Sequence, residues 1–282
     1  MAESYRAYNP PRGAQWNYGG SNWKLSRSKL DLFVECPLCF YLDNKLGVAR
    51  PRGPSFTLNI AVDALLKKEF DAHRAEGTRH PLMAQYGVDA VPYDHEDMEA
   101  WRENFVGIQY RHPGTGLLIT GAVDDVWVNP RGELIVVDYK ATSKDGKVEK
   151  LSDSGWDEQY KRQMEIYQWL LRQKGFAVSK TGYFVYVNGR KDKKAFDGKL
   201  EFDVTLIPHT AGDDSWVEEL IIDAKHCLDQ ETVPRPSSDC DFCRYRKVAR
   251  DVQSKDMPKK TVARVSKKKK DTHDDTTTNS LF

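Results

Sequence analysis

With 282 residues, the chain is long enough for one main domain with appended segments. Its 43 lysines and arginines nearly cancel 42 acidic residues, so overall charge neither demands nor excludes a nucleic-acid partner, and steering falls to local patches. No apolar run approaches membrane-spanning length, and the N-terminal stretch MAESYRAYNPPRGAQW lacks a basic-then-apolar signal pattern; a soluble cytoplasmic protein with no membrane partner is expected.

In chain order, residues 1–25 are rich in Gly, Pro, Asn and Tyr without periodicity and read as a flexible arm. SRSKLDLFVECPLCFYL opens a helix, with Ser28 as N-cap and Asp31 three residues later. A second helix is predicted in LNIAVDALLKKEFDAHRAEG, and residues 78–100 read as a linker or insertion. Strands follow near 105–112, 117–128 and 133–141. WDEQYKRQMEIYQWLLRQKGF is an amphipathic helix stopped by Gly175, followed by strands TGYFVYV and LEFDVTLI and the helix SWVEELIIDAKHCLDQ. This order predicts an α/β domain over 26–250, a central mixed β-sheet flanked by helices. Residues 251–282 hold too few apolar side chains for a core and read as a disordered charged tail.

The chemistry gathers in VVDYKAT, Val136 to Thr142. Successive strand side chains point to opposite faces, so Asp138 and Lys140 share one face. Alone, Asp-x-Lys reads most simply as a salt bridge on a solvated strand end. The preceding strand, LLITGAVDDVWV, also acquires carboxylates, and the turn PRGEL lets Asp124 and Asp138 meet across a hairpin. Two like charges at that distance repel unless a divalent cation is shared between them.

Four motifs in order resemble the PD-(D/E)XK nuclease superfamily, in particular its RecB-type and CRISPR-associated exonuclease-like branch. SRSKLDLFVECPLCFYL is similar to that branch's opening helix, GAVDD to its Gly-x-x-Asp strand, VVDYKAT to its Asp/Glu-x-Lys strand and QMEIY to its Gln-x-x-x-Tyr helix. The resemblance implies a restriction-endonuclease-like core and a nuclease, expected to act on DNA in an exonuclease-like manner, in repair, recombination or mobile-element defence. It implies that Asp124 and Asp138, aided by the carbonyl of Tyr139, ligate Mg²⁺ or Mn²⁺, that Lys140 positions the attacking water, and that Gln163 and Tyr167 reach the substrate. Members of this branch often carry a further histidine ligand in the helix before the sheet. The corresponding stretch here, NIAVDALLKKEF, offers Asp63 instead. That departure keeps open a rival reading, a nucleic-acid-binding or adaptor protein that kept the fold and lost catalysis.

Cys36 and Cys39 form one CxxC pair, and Cys240 and Cys243 another. In a reducing compartment such pairs suggest metal ligation before disulfides, either Zn²⁺ or a [4Fe–4S] cluster, with four ordinary reduced thiols as the alternative. Relatives that carry a cluster use one early and three late cysteines; Ala249 stands where the third late one is expected, and Cys39 is the candidate replacement. Cys227 lies on an apolar helix stripe and reads as a buried thiol. The lysine run in the tail offers sequence-independent phosphate contacts. The terminal Asn279-Ser280-Leu281-Phe282 is similar to the apolar end of sliding-clamp-binding peptides, making a clamp a candidate partner.

Overall fold

The computed structural model describes residues 12–51, 53 and 57–254, and its two units divide after Cys240. In the first unit, the short strand β1 (Leu25–Ser26) leads into helices α1 (Arg27–Glu35) and α2 (Pro37–Asn44). A single helix is predicted over this stretch, but Pro37 has no N–H to donate and its ring would clash with a preceding helical carbonyl. The chain therefore extends at Cys36 (φ −162°, ψ 107°) and restarts with Pro37 in the first turn. The first cap also differs: Ser26, rather than Ser28, is the N-cap.

Helix α3 (Thr57–Glu76) precedes the region expected as a linker or insertion. There, α4 (Pro81–Gln85) buries Leu82 and Met83, and β2 (Val91–Pro92) pairs antiparallel with a later strand, β5 (Asp125–Val128). Helix α5 (Met98–Arg102) and strands β3 (Ile108–Arg111) and β4 (Leu118–Gly121) follow. The predicted strand 117–128 is thus two strands. β4 belongs to a three-stranded sheet ordered β1-β4-β3, whereas β5 enters a five-stranded sheet with β6 (Leu134–Thr142), β7 (Thr181–Gly189) and β8 (Phe202–Thr210), ordered β2-β5-β6-β7-β8. Apolar alternation continues through the break, so periodicity alone does not register that the chain changes sheets at residues 122–124.

Strand β6 is antiparallel to β5 and parallel to β7, and α6 (Gly155–Gln173) makes the crossover that a parallel pair requires. The sheets are mixed and flanked by helices, the α/β architecture expected. Core packing follows the two-residue period of β6. Leu134 and Val136 join the cluster around α1, α6 and α7 (Ser215–Asp229), while Ile135, Val137 and Tyr139 join a second cluster with Phe70 of α3 and Trp127. Helix α6 approaches the sheets closely because Gly121 and Gly182 lack side chains. A Cβ on Gly121 would lie 2.6 Å from the Tyr167 ring, and one on Gly182 would collide with Met164.

In the stretch expected as an arm, Ala14–Trp16 form a 3-10 turn and Trp23 is buried, its indole donating to Asn44 Oδ1 at 3.1 Å. Residues 1–11 lie outside the described residues. The second unit contributes helix α8 (Asp241–Ser254). The rest of the expected tail, including its lysine run and the clamp-like peptide Asn279–Phe282, also lies outside the described residues. No helix among the described residues is long and apolar enough to cross a membrane.

Candidate active site

Asp138 and Lys140 leave β6 on the face covered by α6, as strand alternation requires. The hairpin register sets Asp125 opposite Val137, which brings the preceding Asp124 level with Asp138. Asp124 Oδ2 accepts the backbone N–H of Tyr139 at 2.8 Å. Asp138 is fully buried and ion-paired with the Lys140 ammonium. Desolvation and the neighbouring Asp138 charge push Asp124 up to about 7, against the opposing pull of Lys140. Burial alone would lower the Lys140 pKa, but the charges of Asp138 and Asp124 outweigh it and raise it.

Gln163 ties this group together. Its Nε2 donates to Asp138 Oδ1 at 2.8 Å and to the Tyr167 hydroxyl at 3.0 Å, while its Oε1 accepts from Lys140 Nζ at 3.1 Å. Gln163 and Tyr167, four apart on α6, are both buried, so their polar ends face the carboxylate and the lysine directly. Burial raises the Tyr167 phenol, helped by Asp138 and Asp124 and opposed by Arg27.

Asp124, Lys140, Gln163 and Tyr167 line a cleft of about 670 Å³ between α3 and α6, and Asp138 lies buried beneath them. Asp63, expected from its place in the sequence as a further ligand, lines the same cleft and pairs with Lys67 at 2.9 Å. Its charge adds to the upward push on Asp124. Asn59 of α3 donates to the Ala141 carbonyl at 2.9 Å and so ties α3 to the edge of the cleft floor. Tyr139 borders the cleft, although its phenol points away and donates to Asp125 Oδ2 at 2.9 Å on the other face of the sheet. There, Asp125 is fully buried against Arg74 and Arg102, the latter at 2.9 Å.

Two cleft residues carry no signal in the motifs. Arg27, at the start of α1, lines the cleft, and its Nε has no hydrogen-bond partner among the described residues. Burial lowers its pKa, but Tyr167, Asp138 and Asp31 outweigh that and hold it charged. Trp156 stands at the mouth of the cleft with 72% of its surface exposed. Its place near the start of an amphipathic helix, without a burial pattern, gives no cue beyond its size.

Among the cysteines of the first unit, the sulfurs of Cys36, Cys39 and Cys240 lie within 4.8 Å of one another, and all are buried. Cys39 and Cys240 stand 3.7 Å apart. The Arg50 guanidinium donates to Cys240 Sγ at 3.5 Å; burial lowers its pKa, but Cys39 and Glu35 together outweigh that and raise it. In the second unit, Cys243 is buried in the first turn of α8, three residues beyond Cys240 in the chain. The grouping is compatible with metal binding. Cys227 is buried in the core under α7, as expected of a structural thiol.

A family model for the PD-(D/E)XK nuclease superfamily matches residues 58–248, more than half of the chain, and the chain belongs to that superfamily. No curated protein matches it. Among solved structures, the crystal structure of SSO0001 is similar at 16% identity, covering 75% of this chain and 79% of that one, with a TM-score of 0.37.

Proposed function

We propose that the chain is a metal-dependent nuclease of the RecB-type, exonuclease-like branch, hydrolysing phosphodiester bonds in DNA during repair, recombination or mobile-element defence. The observation that carries this reading is Asp124 lining an open cleft with Asp138 buried directly beneath it, Lys140 beside them and Asp124 pushed up to about 7. A carboxylate held that far from its ordinary range by desolvation and a second carboxylate suits a site for a hard cation. Membership of the superfamily points the same way, since its nucleases use divalent metals.

Asp124, Asp138 and Asp63 would hold Mg²⁺ or Mn²⁺, with the Tyr139 carbonyl as a further oxygen donor. The bound ion supplies Lewis-acid polarisation of the scissile phosphate and a lowered pKa for the attacking water. Lys140, kept charged by its two carboxylate neighbours, orients that water by hydrogen bonding and stabilises negative charge developing on phosphorus-bound oxygen. Arg27 supplies a second positive charge on the cleft wall. Gln163 holds Asp138 and Lys140 in mutual register, with Tyr167 bracing its amide, and the substrate passes over them.

Cys36, Cys39 and Cys240 would supply thiolates to a separate structural site for zinc or a [4Fe–4S] cluster, the metal reading that the paired CxxC sequences suggest. Thiolate ligands of this kind suit the reducing cytoplasm.

The test is incubation of purified protein with labelled single-stranded DNA, duplex DNA and RNA in Mg²⁺, Mn²⁺ or EDTA, alongside folded Asp138→Asn and Lys140→Ala variants. DNA cleavage that needs a divalent ion and vanishes in both variants is expected. A well-folded parental protein that binds DNA but cuts none of these substrates would decide for the adaptor reading.

A further inference from the structure

Trp156 is a large aromatic left in water at the rim of the catalytic cleft. The other tryptophan of α6, Trp169, is 3% exposed and belongs to the core, whereas Trp156 is 72% exposed. Burial therefore does not account for its place. Trp156, Tyr160, Gln163 and Tyr167 follow one another at helical spacing, from the mouth of the cleft to its floor. The Tyr160 ring lies under the reactive centre, with Lys140 Nζ 4.3 Å from its centroid. Trp156 stands one helical turn further out, about 5.4 Å along the axis.

Two further observations give the rim a direction. Across the cleft, Ile60 of α3 presents an exposed aliphatic side chain that lines the same space. Adjoining the cleft is a second hollow of about 420 Å³, which shares Asn59, Ala141, Trp156 and Tyr160 with it and adds Lys144. The Lys144 side chain is half exposed; its ammonium lies 3.5 Å from Asp157 and also meets Tyr186, 5.7 Å from that ring's centroid. A path thus leads from the carboxylates, past an exposed aromatic face, to a cation.

We propose that Trp156 is the stacking platform of a single-stranded substrate path: it holds an unpaired nucleobase next to the scissile phosphate, and Lys144 takes a phosphate of the adjoining nucleotide. This rests on the nuclease reading and specifies its substrate as unpaired polynucleotide. A paired base in a duplex is already stacked on both faces, so an indole at the rim can contribute only where the base is unstacked. Ile60 and Trp156 both offer exposed apolar surface to the cleft, where a flat ring can lie, and Lys144 supplies the charge that a neighbouring phosphate needs.

The experiment measures binding by full-length protein in EDTA, so that no strand is cut. A labelled thymidine strand, the same strand with an abasic sugar replacing each base, and the corresponding duplex are titrated by fluorescence anisotropy. Trp156→Ala should weaken binding of the thymidine strand by roughly 5- to 100-fold, the range of one lost base stack, and leave duplex binding within about twofold. Trp156→Phe should recover most of the loss, and the abasic strand should bind parental protein and Trp156→Ala alike. Because Trp156 is exposed, both variants should keep the parental melting temperature, which separates stacking from misfolding. Equal weakening of the thymidine, abasic and duplex ligands, or no weakening at all, overturns the platform while leaving the nuclease reading intact. Failure of the parental protein to bind any of the three ligands overturns both.

Discussion

Asp124 and Asp125 are adjacent in the chain and serve opposite faces of the sheet: Asp124 reaches the cleft beside Asp138, whereas Asp125 is buried between Arg74 and Arg102. The first is a carboxylate in excess of its local cations. The second is a carboxylate fully matched by them. Removing each charge should therefore change stability in opposite directions.

For Asp124, the sign follows from its raised pKa. The unfolded carboxyl titrates near about 3.9, so the fold binds this proton more tightly than the unfolded chain does. Its stabilising contribution is complete below about pH 4 and is lost as pH rises through about 7. Metal-free protein should lose stability between pH 5 and pH 8, as read by denaturant melts at constant ionic strength, by about 1–3 kcal/mol after allowance for the open cleft. Asp124→Asn should flatten that slope, raise stability at the alkaline end and abolish cleavage. A slope unchanged by the substitution would assign the pH dependence elsewhere.

For Asp125, substitution by Ala removes the buried carboxylate shared by Arg74, Arg102 and the Tyr139 hydroxyl, and leaves Asp71 as the carboxylate partner of both arginines. A loss of about 1–3 kcal/mol is expected from urea unfolding, because buried donors lose an acceptor while Asp71 still balances part of the charge. A loss below about 1 kcal/mol would mean that water reaches the guanidinium groups in the variant.

Gln163 lines the cleft but is buried, with its amide engaged by Asp138, Lys140 and Tyr167, so its effect should pass through those groups. Gln163→Ala should lower kcat by about 10- to 100-fold and raise the divalent-ion concentration needed for half-maximal rate, as loss of a group that orients ligands does. KM should move little. A variant whose only defect is in KM would make Gln163 a direct substrate contact instead.

The cysteine site is tested by elemental analysis of anaerobically purified protein. Zinc or iron should be present beyond any active-site metal, and Cys36→Ser or Cys243→Ser should lower both that content and the melting temperature, because metal binding contributes to folding. Cys227→Ser should leave metal content unchanged, since its thiol lies in the apolar core. Carefully prepared protein with neither metal would establish the alternative of four reduced thiols.

The motifs were legible because their chemistry is local. Asp138 and Lys140 share a face of β6 through strand alternation, and Gln163 and Tyr167 share a face of α6 through helical spacing. The break at Pro37 runs against the single helix expected there, because the apolar pattern continues across it. The split of residues 117–128 between two sheets was not legible, because alternation reports which face a residue takes and carries no record of which strand lies alongside it.

The α/β class, the superfamily motifs and the residue types able to hold a divalent ion can all be read along the chain. What those residues do to one another depends on how the elements pack. Asp124 and Asp125 look equivalent in GAVDD, and their different partners arise because β5 turns one toward α6 and the other toward the arginines of α3 and α5. The exposure of Trp156 and the gathering of Cys36 and Cys39 with Cys240, about two hundred residues away, are likewise properties of packing. Electrostatic energy and solvent access depend on distance through space, and short-range sequence patterns encode that distance only within a single helix or strand.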